Sequence, residues 1–309
     1  RQKEVSSSSS SFLEPPSRSI VIARRRLATT TVTTEAELTT ALNNNARIEL
    51  AADILLTSTI SINGLTGVFI DGKGFEINGN DTVRCFYIYN GAEVALSNLT
   101  ITRGFTGVSG GGLLIWGSAT VEMTWCTVSG NTATRIVTGG YGGGLYIWDS
   151  ATVEMTRCIV FGNTARAGAG LFIGWDSSAP VVTMTWCTVS GNTAFSGGGI
   201  YIRSAAVEMT LCTISGNTAS SHHGGGFYID GSDTLEMTCC TVSGNTAAIE
   251  GGGLYQIEDN MVAFNLLGCI FSGNSASSGG DIILRGTAPL KFYSLCPGGS
   301  SYAGTGTLD

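Results

Sequence analysis

Asp176, Arg203 and Asp230 fall close behind three short apolar segments in consecutive repeats of this 309-residue chain, with Asp149 and Glu258 on the flanking repeats. Two carboxylates astride one bond are what glycoside hydrolysis requires, and a basic residue beside acids is what polysaccharide lyase chemistry requires. If the chain were an enzyme, it would be a carbohydrate-active one, a lyase or hydrolase of an acidic polysaccharide, with these three residues catalytic. The plainer reading of an Arg between two Asp residues is an exposed salt-bridge ladder worth little. We therefore expect a non-catalytic protein.

A second acidic set recurs at one strand position: Asp71, Ala95, Glu122, Glu154, Thr183, Glu208, Glu236 and Asn265, with Thr124, Thr156, Thr185, Thr210 and Thr238 beside it. Like charges stacked about 4.8 Å apart repel. Glu122/Glu154 and Glu208/Glu236 should then have raised pKa values or share a cation; solvation alone suffices for the column, so no cofactor is expected, and calcium is the alternative such oxygens would take. Zinc is a weaker idea. It needs convergent ligands, and His222-His223 sits in a loop.

Most of the special residues are placed once per repeat. A cysteine is followed five residues later by a Gly-preceded asparagine at Cys126/Asn131, Cys158/Asn163, Cys187/Asn192, Cys212/Asn217, Cys240/Asn245 and Cys269/Asn274. Fixed spacing within the repeat and variable spacing between repeats is how a solenoid is written. The cysteines read as an inward, reduced stack of small hydrophobes. Cys85, Cys239 and Cys296 lie outside it, and an odd total of nine leaves at least one thiol unpaired within the chain. The asparagines read as turn residues in left-handed conformation whose amides bond from one repeat to the next.

The elements that carry these columns follow from period-two patterning. In one unit Leu145/Ile147, Val153/Met155 and Cys158/Val160 point inward, and Tyr146, Glu154/Thr156 and Ile159 point outward. Three short strands per repeat predict an all-β, single-stranded parallel β-helix. Leu99 and Phe75 extend the cysteine position backwards, giving about nine coils and a rod on the order of 40–45 Å long. A capping box of Thr34 with Glu37 predicts a short helix over 35–44 that lids the first coil. The expected domains are a Ser/Arg-rich arm or linker at 1–33, an N-terminal cap at 34–47, the β-helix at 48–296 and a Gly-rich tail at 297–309. Lys291-Phe292-Tyr293 is expected to add a last strand.

The arm carries +3 through residue 35, from six cations and three carboxylates, which leaves −10 for the rest of a chain whose net charge is −7. An acidic body gives nucleic acid nothing to bind. A basic arm on that body, with the β-prone Ser19-Ile20-Val21-Ile22-Ala23, is expected to dock on a neighbouring rod and join copies head to tail. No stretch reaches the roughly 18 apolar residues of a membrane span. The chain starts with Arg, as a processed product would, and Asn80-Asp81-Thr82 and Asn98-Leu99-Thr100 are glycosylation sequons. An extracellular or cell-surface location is expected.

The alternation of Gly-Gly-Gly-Leu/Ile/Phe with Val-Ser-Gly-Asn over residues 68–285 resembles the repeats of chlamydial polymorphic outer-membrane proteins. Phe271-Ser272-Gly273-Asn274 is a literal copy of that family's second motif; Val128, Val160, Val189, Ile214 and Val242 replace its Phe elsewhere. The resemblance implies a right-handed β-helix and an extracellular adhesive or surface-coat passenger; the family's membrane β-barrel is not expected within these 309 residues. Nothing resembles the Asn-Thr-Asp, Asp-Asp and Gly-His-Gly motifs of polygalacturonases. The expected binding face is an outward aromatic stripe, Tyr87, Tyr146, Phe172, Tyr201, Tyr228 and Tyr255, with Leu114 and Ile283 in the same position. Exposed, it would stack sugar rings or pack a partner.

Overall fold

The computed structural model describes residues 28–134, 139–175, 179–231, 234–257, 263–285 and 290–293. The chain winds as a parallel β-helix around one continuous core. Three long sheets make its walls: sheet I with 11 strands from Thr29–Val32 to Leu290–Tyr293, sheet II with nine from Ile54–Leu55 to Ile270–Ser272, and sheet III with nine from Ile60–Asn63 to Ile282–Leu284. A short sheet IV of six two-residue strands, Phe105–Thr106 to Thr246–Ala247, lies between II and III. Each strand pairs in register with its counterpart one coil on, so every sequence column is a physical column.

The inward residues expected from alternation are buried, among them Leu145, Ile147, Val153, Met155, Cys158 and Val160. The cysteine column stands against sheet I of the preceding coil. Cys158 Sγ donates to the Met123 carbonyl at 3.3 Å and Cys187 Sγ to that of Met155 at 3.3 Å. Backbone N–H groups of Cys187 and Cys212 donate in turn to the next thiol up the stack, each at 3.4 Å. Cys85 and the six column cysteines are free; Cys126, Cys158, Cys187, Cys212 and Cys240 are buried, and Cys269, in the last complete coil, is half-buried. Burial pushes the Cys85 thiol up to about 12, so it stays protonated at neutral pH. Cys239 is disulfide-bonded.

The asparagines form a buried ladder. Asn163 Oδ1 accepts from both the backbone N–H and the Nδ2 of Asn131, at 2.9 and 3.0 Å, while Asn131 Nδ2 also reaches the Ile101 carbonyl at 3.0 Å. Asn192 Oδ1 takes the same two bonds from Asn163, Asn217 Oδ1 from Asn192, Asn245 Oδ1 from Asn217, and Asn274 Oδ1 from Asn245, each between 2.9 and 3.1 Å.

One expectation about this column is corrected. Asn131, Asn163, Asn192, Asn217, Asn245 and Asn274 are not the left-handed residues of the turn; the glycine before each of them is, at Gly130, Gly162, Gly191, Gly216, Gly244 and Gly273, with φ between 61° and 64°. Nor are they surface turn residues. Asn131, Asn163, Asn192, Asn217 and Asn245 are at most 1% accessible, and Asn274 is half-buried. The physical reason is a division of labour: the residue without a Cβ takes the positive φ at no steric cost, and the asparagine keeps an ordinary backbone that points its amide inward. Gly144 shows the steric counterpart: a Cβ there would lie 3.2 Å from Asn163 Nδ2 and 2.6 Å from the Gly170 carbonyl. In the last coil that position is Asp281, whose Oδ1 accepts from the Asn274 backbone N–H at 3.2 Å and its Nδ2 at 2.9 Å and so ends the ladder.

The N-terminal end also departs from the expected boundaries. The helix spans Glu35–Ala41, shorter than expected, capped by Thr34, whose hydroxyl accepts from the Glu37 N–H at 3.2 Å. Glu37 reaches back to Thr33 N–H and hydroxyl, one residue beyond the cap. Thr29–Val32, assigned by sequence to the arm, is the first strand of sheet I and buries Val32 against the coil above it. Residues 1–27 of the arm, with Ser19–Ala23, and the tail lie outside the described residues. Leu290–Tyr293 forms the expected last strand.

Because the column thiol has carbonyls on one side and core on the others, Cys187→Asp should fail to fold, since an unpaired buried carboxylate costs several kcal/mol. Cys187→Ala should fold and melt a few degrees lower. Circular dichroism melts of the two variants check this, and alkylation of the native protein should leave the buried column unlabelled until denaturant is added.

Candidate functional site

The aromatic stripe occupies the column expected of it, in register from Tyr87 through Leu114, Tyr146, Phe172, Tyr201, Tyr228 and Tyr255 to Ile283. It is not an exposed face. Phe172 is 1% accessible, Tyr255 5%, Tyr146 8% and Tyr228 9%. The rings stack on one another along the rod, Phe172 on Tyr201 and Tyr201 on Tyr228 at 4.6 Å between centroids, and Tyr228 near Tyr255 at 5.3 Å. Stacked neighbours occupy the ring faces a sugar would need, so this stripe works as an outer hydrophobic seam.

Two residues further along the strand runs a column that sequence reasoning missed. Tyr89, Trp116 and Trp148 stack at 6.1 and 5.5 Å, and Trp116 Nε1 donates to Tyr87 Oη at 2.8 Å. The period-two spacing from the stripe was the signal for it. Toward the C-terminal end the same column becomes charged, with Arg203 and Asp230. Tyr201 Oη donates to Asp230 Oδ2 at 2.8 Å, Arg203 Nε lies 3.9 Å from the same oxygen, and the Arg203 guanidinium sits 4.9 Å over the Trp175 ring. Burial, and next the charge of Asp230, push the Tyr201 phenol far above its usual value, so it remains a donor. Asp176 and Glu258 lie outside the described residues. What is brought together is a Tyr–Asp–Arg cluster with one described carboxylate.

His223 stacks on Tyr255 at 4.2 Å with Nδ1 3.6 Å from Glu250 Oε2, and Glu250 also pairs with Arg285. Burial lowers the His223 pKa, which leaves the ring neutral at pH 7. The described residues hold no group of three or more His, Cys, Asp or Glu side chains suited to a metal ion.

On sheet I, Glu122 pairs with Glu154 and Glu208 with Glu236 in register, as expected. Asp71 does not belong to that column. It aligns with Ser97 and the threonine rank, and Phe69 takes the place opposite Ala95. Burial and then the neighbouring Glu154 raise the Glu122 pKa. Glu236 accepts from Asn265 Nδ2 at 3.1 Å. Of the sequons, Asn80 and Asn98 are both exposed, in left-handed conformation.

Part of the exposed apolar surface is on sheet II and at the turn into it, with other exposed groups such as Val181 and Phe195 elsewhere. From Thr100 onward the outward positions of sheet II are threonine, serine, isoleucine and phenylalanine only, running Thr127/Ser129, Ile159/Phe161, Thr188/Ser190, Thr213/Ser215, Thr241/Ser243 and Ile270/Ser272. Trp125, Arg157, Trp186 and Leu211 stand at the turn into this sheet, one per coil, each with φ between 54° and 57°. Trp125 and Trp186 are 55% accessible, Phe161 46% and Ile159 44%. Here bulky apolar groups face water.

A family model described as a right-handed β-helix region matches residues 42–213. The chain belongs to that family. The solved structure of "L. reuteri 53608 SRRP" aligns over 85% of this chain and 99% of its own, at 16% identity and a TM-score of 0.32, a score that carries no functional argument. No curated protein matches. No helix of the described residues is long and apolar enough to cross a membrane.

Two outcomes follow from these columns. Changing Tyr146, Phe172, Tyr201 and Tyr228 together to Ser should unfold the middle coils, because it removes stacked, covered rings; loss of the cooperative melt would show it. The raised pKa of Glu122 means that folding disfavours its ionised form. Its penalty is present above the folded pKa, falls as pH drops through that value and vanishes below the unfolded value of 4.5. Glu122→Gln should therefore raise the melting temperature at pH 7 and leave it nearly unchanged at pH 4.

Proposed function

We propose that this β-helix is a secreted, non-catalytic surface or adhesive rod that works by contact along its outer wall, in keeping with the resemblance of its repeats to the chlamydial passenger proteins. The observation that carries the reading is the charge-free outer face of sheet II, about seven coils long, on the order of 30 Å, with Ile159 and Phe161 exposed on it and Trp186 exposed at the turn into it. Depletion of charge with retained aromatics is the composition of an interface centre, and bulky apolar groups clustered on such a wall mark a contact site. The contact face is thus moved from the covered aromatic stripe to the neighbouring wall. Self-association would use the rod ends, where Thr29–Val32 and Leu290–Tyr293 have a strand partner on one side only among the described residues.

A triple variant, Ile159→Ser, Phe161→Ser and Trp186→Ser, should keep its melt within a few degrees and lose attachment to glycan-coated or cell surfaces by tenfold or more. Attachment equal to wild type would remove sheet II from the reading. A second reading, a carbohydrate-active enzyme on an acidic polysaccharide, is favoured only by the Tyr201–Asp230–Arg203 cluster. Turnover of such a polysaccharide that is abolished by Arg203→Ala would reverse the ranking.

A further inference from the structure

Trp125 combines two unfavourable features. Its backbone is left-handed at φ 56° and more than half of the residue is in water. A left-handed conformation is costly for any residue with a Cβ, and a bulky residue kept in one asks what its side chain touches. Part of the answer is Arg157, one coil on, whose guanidinium lies 4.8 Å over the indole.

The other part is a groove on the side of the preceding coils. Trp125 walls an open groove of about 560 Å³ together with Lys73, Asn98, Leu99, Thr100 and Thr127. That volume lies within the range of small-molecule sites. Asn98, directly before Trp125 in the turn column, is exposed at φ 48° and opens the sequon Asn98-Leu99-Thr100. Its Nδ2 donates to Ser97 Oγ at 3.2 Å and to Asp71 Oδ1 at 3.5 Å, the second at the limit of a hydrogen bond. One N–H can therefore be given up while the other keeps its partner. Lys73 is held at the groove by Asp71 at 3.0 Å and Glu49 at 3.3 Å.

We propose that Asn98 carries an N-linked glycan whose first sugar packs in this groove against the Trp125 indole. In the attachment step Nδ2 loses a proton to the transferase and bonds to the anomeric carbon of a polyprenyl-diphosphate-linked oligosaccharide. The bond from that carbon to the diphosphate breaks, and the diphosphate leaves with the lipid. Attachment takes place on the chain before it folds, so the groove governs where the sugar lies afterwards. The apolar C–H face of the pyranose covers the indole, and its hydroxyls meet Thr100 and Thr127 at the start of the charge-free wall. Asn80, the other sequon asparagine, is also exposed but lies outside this groove. The inference rests on the secretory route proposed above and is independent of what the wall of sheet II binds.

Peptide mass spectrometry of the protein secreted by a eukaryotic host should find a glycan on Asn98. Asn98→Gln should lower the melting temperature by roughly 2–4 °C, Trp125→Ala should lower it similarly, and the double variant no further than either alone. Trp125→Phe should restore most of the difference. Tryptophan fluorescence gives a second readout, since acrylamide should quench the Asn98→Gln variant more than wild type. A bare Asn98 beside an occupied Asn80 overturns the site, and additive melting shifts with unchanged quenching overturn the packing. Bare asparagines at both positions with surface attachment intact overturn the glycan and leave the adhesive reading standing.

Discussion

Registry between coils is the constraint on which everything else depends. A single coil has too little interior to bury its apolar edge, so each turn is stable only against its neighbours. The asparagine ladder converts that dependence into a directional one. The Asn163 oxygen takes two bonds from the coil before it, and its nitrogen gives one bond to each neighbouring coil, so the amide is satisfied at one axial spacing and one angle. Slipping by one residue would bury polar atoms without partners, a loss of about 1–3 kcal/mol for each group left unsatisfied. The same ladder demands glycine where the chain passes over it, and tolerates Asp281 only where the ladder stops.

Registry has a consequence outside the core. Side chains on the outer walls stack as strictly as those inside, so like sits on like at every coil. For aromatic residues this is favourable, and the stripe on sheet III becomes a seam with its ring faces used up. For carboxylates it is unfavourable, and the neighbouring Glu154 adds to burial, the larger cause, in making Glu122 resist ionisation. For threonine and serine it is neutral, and a wall built of them can remain open to a partner.

The turns are where the repeat relaxes its demands. The sharp corners use one left-handed residue per coil, and two of them keep glycine: the corner before the asparagine, and the corner three residues before each sheet III strand, at Gly142, Gly168, Gly197, Gly224 and Gly251. The corner before the cysteine accepts Asn98, Trp125, Arg157, Trp186 and Leu211 alike. Variation is tolerated there, since the side chain points away from the ladders. This edge, with the wall it leads into, is the part of the surface that can carry specificity without disturbing the coil.

The sequence alone determined the coil: strand positions, inward columns, the cysteine and asparagine ladders and the capping helix are legible because period-two alternation and fixed spacing fix which side chains point in. It also located the residues of the Tyr201, Arg203 and Asp230 cluster on adjacent coils. It misplaced Asp71 by two residues, because the loops before the first regular repeats hide the phase of the strand. It gave the left-handed turn to Asn192, Asn217, Asn245 and their counterparts, because a Gly-Asn pair repeats as a unit and spacing does not say which member takes the positive φ. What only the tertiary structure decided was which outward columns meet water. Alternation distinguishes in from out, but outward is not the same as exposed. Tyr146 and Phe172 point away from the core and are covered by stacked rings and the chain around Tyr141, whereas Trp125 and Trp186 stand clear at a corner. That difference depends on how neighbouring coils and their connecting segments lie over one another, and the sequence of one repeat holds no record of it.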